Sequence, residues 1–230
     1  MMPTGVIPEI RQEIALIGQQ TRDLATRYEQ VFVNLRQALQ AALAQAAGAA
    51  QRARIAMTIA DAAASAISEN FPNQPLRACA AGCGACCHLY VMVPPGVAEA
   101  VAAHVLRRLD AKGLAGLRLD LERAAAAAGA LTDPSRLKHR CPLLGDDNLC
   151  TVYDARPPAC RAFTSHSAAA CRSLAFDPEG PVTAIPQSAS HFRVYQEATG
   201  ALQRAARAGG QPSAQTGLAA ALLVALPEQA

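Results

Sequence analysis

Eight cysteines are where this sequence could do chemistry. Cys79, Cys83, Cys86 and Cys87 stand within nine residues, and His88 follows directly. Cys83-x2-Cys86 has the spacing with which one tight turn offers two thiolates to one metal ion, and Gly82 and Gly84 supply the backbone freedom of that turn. Helix entry near Cys83 would set Cys83, Cys86 and Cys87 at i, i+3 and i+4 on one face, with the positive helix end favouring the thiolate form. The other four, Cys141, Cys150, Cys160 and Cys171, are spread out. Arg140, Arg161 and Arg172 adjoin three of them, and a cation beside a thiol favours the thiolate. Eight thiols permit two four-cysteine sites or one site with thiols to spare. Spacing leaves both open, and leaves Cys171 divided between ligand and packing.

Other chemistry-bearing residues offer less. His88 could be a nitrogen ligand, or a ring packed beside the site. His104 sits inside a helical pattern, and His139, His166 and His191 have no partner pattern. Ser165-His166 with Cys160 has only adjacency to suggest a nucleophile. Asp146-Asp147-Asn148 reads as a turn rather than a hard-cation site.

Elements must hold these thiols, and composition favours helices. The 230 residues allow one domain, or one domain with an appendage. Alanine is the commonest residue and aromatics make up only 4%, so a mostly α protein is expected and a large sandwich or barrel is not. A chain of this length can bury a core without staples, so the cysteines need another explanation. The net charge of +3 is too small to imply a nucleic-acid or membrane partner. The first twenty residues lack a signal-peptide pattern, and the apolar run Gly217–Leu226 is half of what a bilayer core needs. A cytoplasmic location is expected, where clustered cysteines are more often metal ligands or redox thiols than disulfides.

Pro8 to about Glu69 reads as helix, breakable at Gly48. Ile10, Ile14, Ile17, Thr21, Leu24, Tyr28, Val31, Leu35, Ala38 and Ala42 alternate in steps of four and three. That heptad seam suits a long helix lying along its own domain, or a coiled coil that makes a homo-oligomer. Residues 1–71 are therefore set apart as an N-terminal helical extension, and 72–230 as the cysteine-bearing domain with C-terminal helices. After the turn-rich Phe71–Pro75, an extended piece spans Leu89–Val93, and helices are expected at about 96–110, 114–130, 189–208 and 214–226. Thr132–Pro186 shows little periodicity. A segment that long without regular structure is usually functional or pinned, here by thiols.

The run Cys79-x3-Cys83-x2-Cys86-Cys87-His88, then Cys141-Pro142-Leu143-Leu144, then Cys150-Thr151-Val152-Tyr153-Asp154-Ala155-Arg156-Pro157-Pro158-Ala159-Cys160-Arg161, resembles the YkgJ-type cysteine-cluster family, the CxxCxxCC proteins. The likeness covers about Cys79 to Cys171. One departure is the extra residue between Cys79 and Cys83. The resemblance implies a zinc- or iron-chelating domain, with Cys79, Cys83, Cys86, Cys87, Cys141, Cys150, Cys160 and Cys171 as metal ligands. Flagellin lysine methylases carry a related cluster with an iron–sulfur centre, but this chain has no glycine-rich nucleotide or S-adenosylmethionine fingerprint. Only the cluster is carried over. Within it, Arg156 could hydrogen-bond carbonyls or sulfurs, and Tyr153 is expected to pack over the site.

These readings converge on a metal-binding protein with a zinc or iron centre, which could be a 4Fe–4S cluster. Four thiolates close a zinc sphere and make it structural, whereas a cluster implies redox work, an electron-transfer partner or an accessory role in an enzyme. A helical interaction module stapled by a structural metal, and a cytosolic thiol switch, are the alternatives. No substrate pocket, general base or catalytic residue can be named.

Overall fold

The computed structural model describes residues 6–71, 75–177, 180 and 183–227. The expected turn at 71–75 falls largely outside them. The chain is 65% helical, well above the roughly one-third of an average domain. Helix α1 spans Val6–Ala44, α2 Ala49–Asn70, α3 Val97–Val105, α4 Ala111–Gly129, α5 Pro158–Ala162, α6 Ala168–Phe176, α7 Ala189–Ala208 and α8 Leu218–Ala225. Two short strands, β1 Met92–Val93 and β2 Thr216–Gly217, pair antiparallel and tie α8 to the chain before α3.

Local chemistry explains the boundaries. Gly48 is extended and parts α1 from α2, as its position in the sequence suggests. Asp110, Ser167 and Ser188 each accept an amide hydrogen bond at the start of α4, α6 and α7, satisfying a donor that a helix leaves unpaired at its N-terminus. Helix α6 interrupts the 132–186 stretch that lacked periodicity. Its short Ala-rich run was too brief to register as a repeat, and the Ser167 cap was the only local sign of it.

One core joins these helices. Ala53, Ala56, Ala60 and Ala64 line the buried face of α2, and such small side chains let α7 come close with Val194, Ala198 and Leu202. Phe32, Leu35, Leu39 and Leu43 of α1 complete this layer. Two forked ion pairs clasp α1 to α7. Arg36 donates from Nε and Nη2 to Glu197 at 2.9 and 2.6 Å, and Arg193 donates from both Nη atoms to Glu29 at 2.6 Å each. The Arg193 guanidinium also lies 4.1 Å from the Phe32 ring centroid.

The heptad seam divides in two. From Tyr28 onward the covered stripe runs through Phe32, Leu35, Leu39 and Leu43, so Val31 and Ala38, assigned to the seam by a 3.5-residue repeat, are exposed. A straight helix turns every 3.6 residues and drifts off that repeat. Before Tyr28 no described residue covers it: Ile10, Ile14, Ile17 and Leu24 are 48–64% exposed.

Gly96 marks the tightest approach in the fold. Its φ of +86° is left-handed, and a Cβ there would run into the Ala49 carbonyl at the start of α2. Gly96→Ala should lower stability by about 2–3 kcal/mol in urea titration. Gly48→Ala, with open space around it, should stay within about 0.5 kcal/mol.

Candidate metal centre

The first cysteine motif is a turn, and not the α-helix entry that its spacing allowed. The Cys83 amide donates to the Ala80 carbonyl at 3.1 Å, closing a turn in which Gly82 takes φ +80°. A 3₁₀ turn follows over Ala85–His88. With three residues per turn, Cys86 and Cys87 leave the backbone about a third of a turn apart. His88 donates from Nδ1 to the Gly84 carbonyl at 3.1 Å and meets Phe176 edge-on at 4.7 Å, so its ring packs beside the motif.

Backbone hydrogen bonds stitch the second motif to the first. The Cys141 amide donates to the Cys87 carbonyl at 2.7 Å, and the His139 amide to the His88 carbonyl at 3.0 Å. From Cys141 the chain makes a hairpin. The Thr151 amide donates to the Leu143 carbonyl at 2.9 Å and the Gly145 amide to the Leu149 carbonyl at 2.8 Å. Asn148 turns it with φ 58°, and Asp147 accepts the Leu149 amide at 2.9 Å. The acidic pair thus builds the turn that presents Cys150. Beyond it the buried Pro157-Pro158 starts α5, which carries Cys160.

Cys86, Cys141, Cys150 and Cys160 consequently share one neighbourhood, in which the last three each feel the charge of others in the set, Cys86 included. All four are held protonated above the usual thiol range. For Cys86 the Cys87 thiol is the main cause and burial the next; for the others burial leads. Cys141 is pushed up to about 11. The expected lowering of thiol pKa by neighbouring arginines is outweighed. Arg156 does favour the thiolates of Cys86, Cys150 and Cys160, and Arg140 that of Cys141, but desolvation is stronger. Arg156 stacks over Tyr153 at 3.7 Å with the ring half in solvent, so Tyr153 shields the arginine rather than the thiols.

Cys79, Cys83 and Cys171 make a second neighbourhood. The Ala78 amide donates to the Ser165 carbonyl at 2.8 Å, and the Ser165 amide to Cys79 Sγ at 3.4 Å. Cys171 is buried in α6 beside Ala85 and Ala175, held protonated by burial, and feels Cys79, Cys83 and Cys86. Cys86 therefore belongs to both groups. All eight cysteines are free thiols. Among the described residues no three Cys, His, Asp or Glu side chains stand close enough to grip one ion as placed.

A polar network without any linear motif fixes α5. Arg161 donates to Asp61 of α2 at 2.7 Å and to the carbonyls of Asp154 at 2.6 Å and Arg156 at 2.8 Å. Tyr195 of α7 donates to the same carboxylate at 2.8 Å. His191 Nε2 donates to the Arg161 carbonyl at 3.0 Å, leaving Nδ1 to accept from Arg77 at 3.2 Å. Arg161 thus serves the scaffold first, and its charge favours the Cys150 thiolate less than Arg156 does. Its one sign in the sequence was Asp61, one of two acids on an alanine-rich helix. The other histidines stand apart from the thiols: His104 is buried in α3, and His139 and His166 each bond a nearby carbonyl. Asp61→Ala leaves the nearly buried Arg161 head unpaired and should cost about 1–3 kcal/mol in chemical denaturation. Glu29→Ala, which breaks a more exposed pair, should cost less than Asp61→Ala in the same titration.

No curated protein and no solved structure matches this chain. A family model does match over residues 78–179, a span that holds all eight cysteines; it is CxxCxxCC, described as "Putative zinc- or iron-chelating domain". That description agrees with a thiol-rich neighbourhood built from the same residues and supports metal binding. Residues 78–179 of this chain match the model of the CxxCxxCC family.

Proposed function

We propose that Cys86, Cys141, Cys150 and Cys160 hold one zinc or iron centre, with Cys87 beside it and Cys79, Cys83 and Cys171 as a second thiol group reached through Cys86. The observation that carries this reading is the join of Cys141 to Cys87, which brings thiols from three separate stretches into one buried neighbourhood. The donor set fits a thiophilic metal: four sulfurs, no competing hard oxygen ligand, and Arg156 at hand to offset negative charge. When bound, zinc would supply a closed structural crosslink, and an iron–sulfur cluster would supply electron transfer. Free thiols throughout suit the reducing cytoplasm, where such a centre persists.

Metal and acid-labile sulfide analysis of protein purified without oxygen, together with a visible spectrum, tests this directly. Stoichiometric zinc without colour, or iron with sulfide and visible absorption, is expected, and Cys86→Ser and Cys160→Ser should each lose most of it. Metal at background level, or full retention in both variants, would sink the assignment.

Proton release gives a second test. A thiol held above its ordinary value of 9.0 in the fold stabilises the metal-free chain below that value and loses this contribution as pH rises toward the folded value. The metal-free chain should therefore weaken between about pH 9 and 11, the window set by Cys141. Metal binding runs the other way, because each ligand must shed its proton. Affinity should rise with pH by up to about tenfold per unit for each proton released. Competition against a chromophoric chelator at several pH values measures it.

A further inference from the structure

We infer that the projecting half of α1 is a self-association surface, covered by a second copy of this chain running antiparallel to it. The inference is independent of the metal.

The surface is a stripe of Ile10, Ile14, Ile17, Thr21, Leu24 and Tyr28. It continues the face that Phe32, Leu35, Leu39 and Leu43 bury against the core. Successive steps of four and three keep both sets on one side of the helix. Coverage stops where α7 begins, since Arg193, in the second turn of α7, pairs with Glu29. Residues 8–27 are exposed but for the half-covered Gly18. At 1.5 Å per residue this part projects about 30 Å, and a helix of that length with isoleucines in water is marginal alone.

Charge selects the occupant and its direction. With Ile14, Thr21 and Tyr28 at a and Ile10, Ile17 and Leu24 at d, the flanking g positions are Glu13, Gln20 and Arg27, and the e positions are Arg11, Gly18 and Ala25. In an antiparallel pair, a meets d and g meets g. Ile14 then packs on Leu24 of the other copy, Ile17 on Thr21, and Ile10 on Tyr28 at the ends. The same register sets Glu13 against Arg27 twice and Gln20 against its own symmetry mate, so every charged g position finds the opposite sign. The small Gly18 and Ala25 on the other flank allow close approach. Neither Glu13 nor Arg27 makes an ion pair within the chain among the described residues. A parallel pair would set Glu13 against Gly18 and Arg27 against Phe32, which the chain already buries. Antiparallel overlap also carries the two cores to opposite ends, clear of each other.

Sedimentation equilibrium on the full chain, with metal content and helicity monitored, tests the pairing. Wild type should dimerise. Glu13→Arg alone and Arg27→Glu alone each turn two attractions into repulsions and should weaken the dimer about tenfold. Mixing the two variants in equal amounts restores both attractions: the arginine introduced in one chain faces the glutamate introduced in the other, and the native Arg27 of the first faces the native Glu13 of the second. The mixture should recover wild-type association as a heterodimer. Ile17→Glu with Leu24→Glu should leave a folded monomer. A wild-type chain that stays monomeric, a dimer untouched by Ile17→Glu with Leu24→Glu, or single variants that do not recover on mixing would each overturn the inference.

Discussion

The bond from the Cys141 amide to the Cys87 carbonyl is the join on which the rest depends. It sets a bend of the 132–167 stretch against the 3₁₀ turn of the first motif. The hairpin from Cys141 returns at Cys150 because Asp147 and the left-handed Asn148 close its tip. Pro157-Pro158 then fixes the start of α5, and Arg161 moors that short helix to α2 through Asp61. A five-residue helix has no stability of its own. Its orientation, and with it the Cys160 thiol, is borrowed from the α2 and α7 pair that flanks it.

Two opposing physical demands meet at the thiols. A soft metal needs thiolates, while burial in a small apolar surround favours neutral sulfur. Arg156 leans toward the charged form at three of the thiols without prevailing, so the pocket is protonated at rest. A bound cation would replace those protons and remove the conflict, since its own charge would outweigh desolvation. Cys79 and Cys83 are exposed, whereas Cys141 and Cys160 are largely covered.

Local rules made the helices legible and contact rules hid the site. Helix α7 spans the expected 189–208 because Ser188 caps it and Gly209-Gly210 ends it. The break at Gly48 and the short strand Met92–Val93, within the expected extended piece Leu89–Val93, follow the same logic. The cysteine spacing pointed to a thiol centre, yet an α-helix and a 3₁₀ turn place Cys86 and Cys87 differently, and only the pairing with 138–141 decides between them. Arginine neighbours of cysteine were misleading for a related reason. Sequence adjacency says nothing of which way a guanidinium extends, and Arg161 reaches a carboxylate 100 residues away. The polar group of Asp61, Tyr195, His191 and Arg77 could not be read from spacing, because its members are joined only by tertiary packing.

Helical packing and the cysteine segment are held by different forces. Alanine and leucine faces of α1, α2, α7 and α8 close on one another, and that part of the core needs no ligand. Between residues 132 and 167 the buried apolar side chains are few: Leu143, Leu144, Val152 and Ala162, with the two prolines. Order there comes from hairpin hydrogen bonds and the Arg161 clasp, which are weak when solvent can compete. A crosslink among Cys86, Cys141 and Cys160 would act on this segment and barely on the helices. Metal binding would then show as local protection of 132–167 from hydrogen exchange over an unchanged helical core, because the free energy of a ligand appears where its absence leaves the chain free to open.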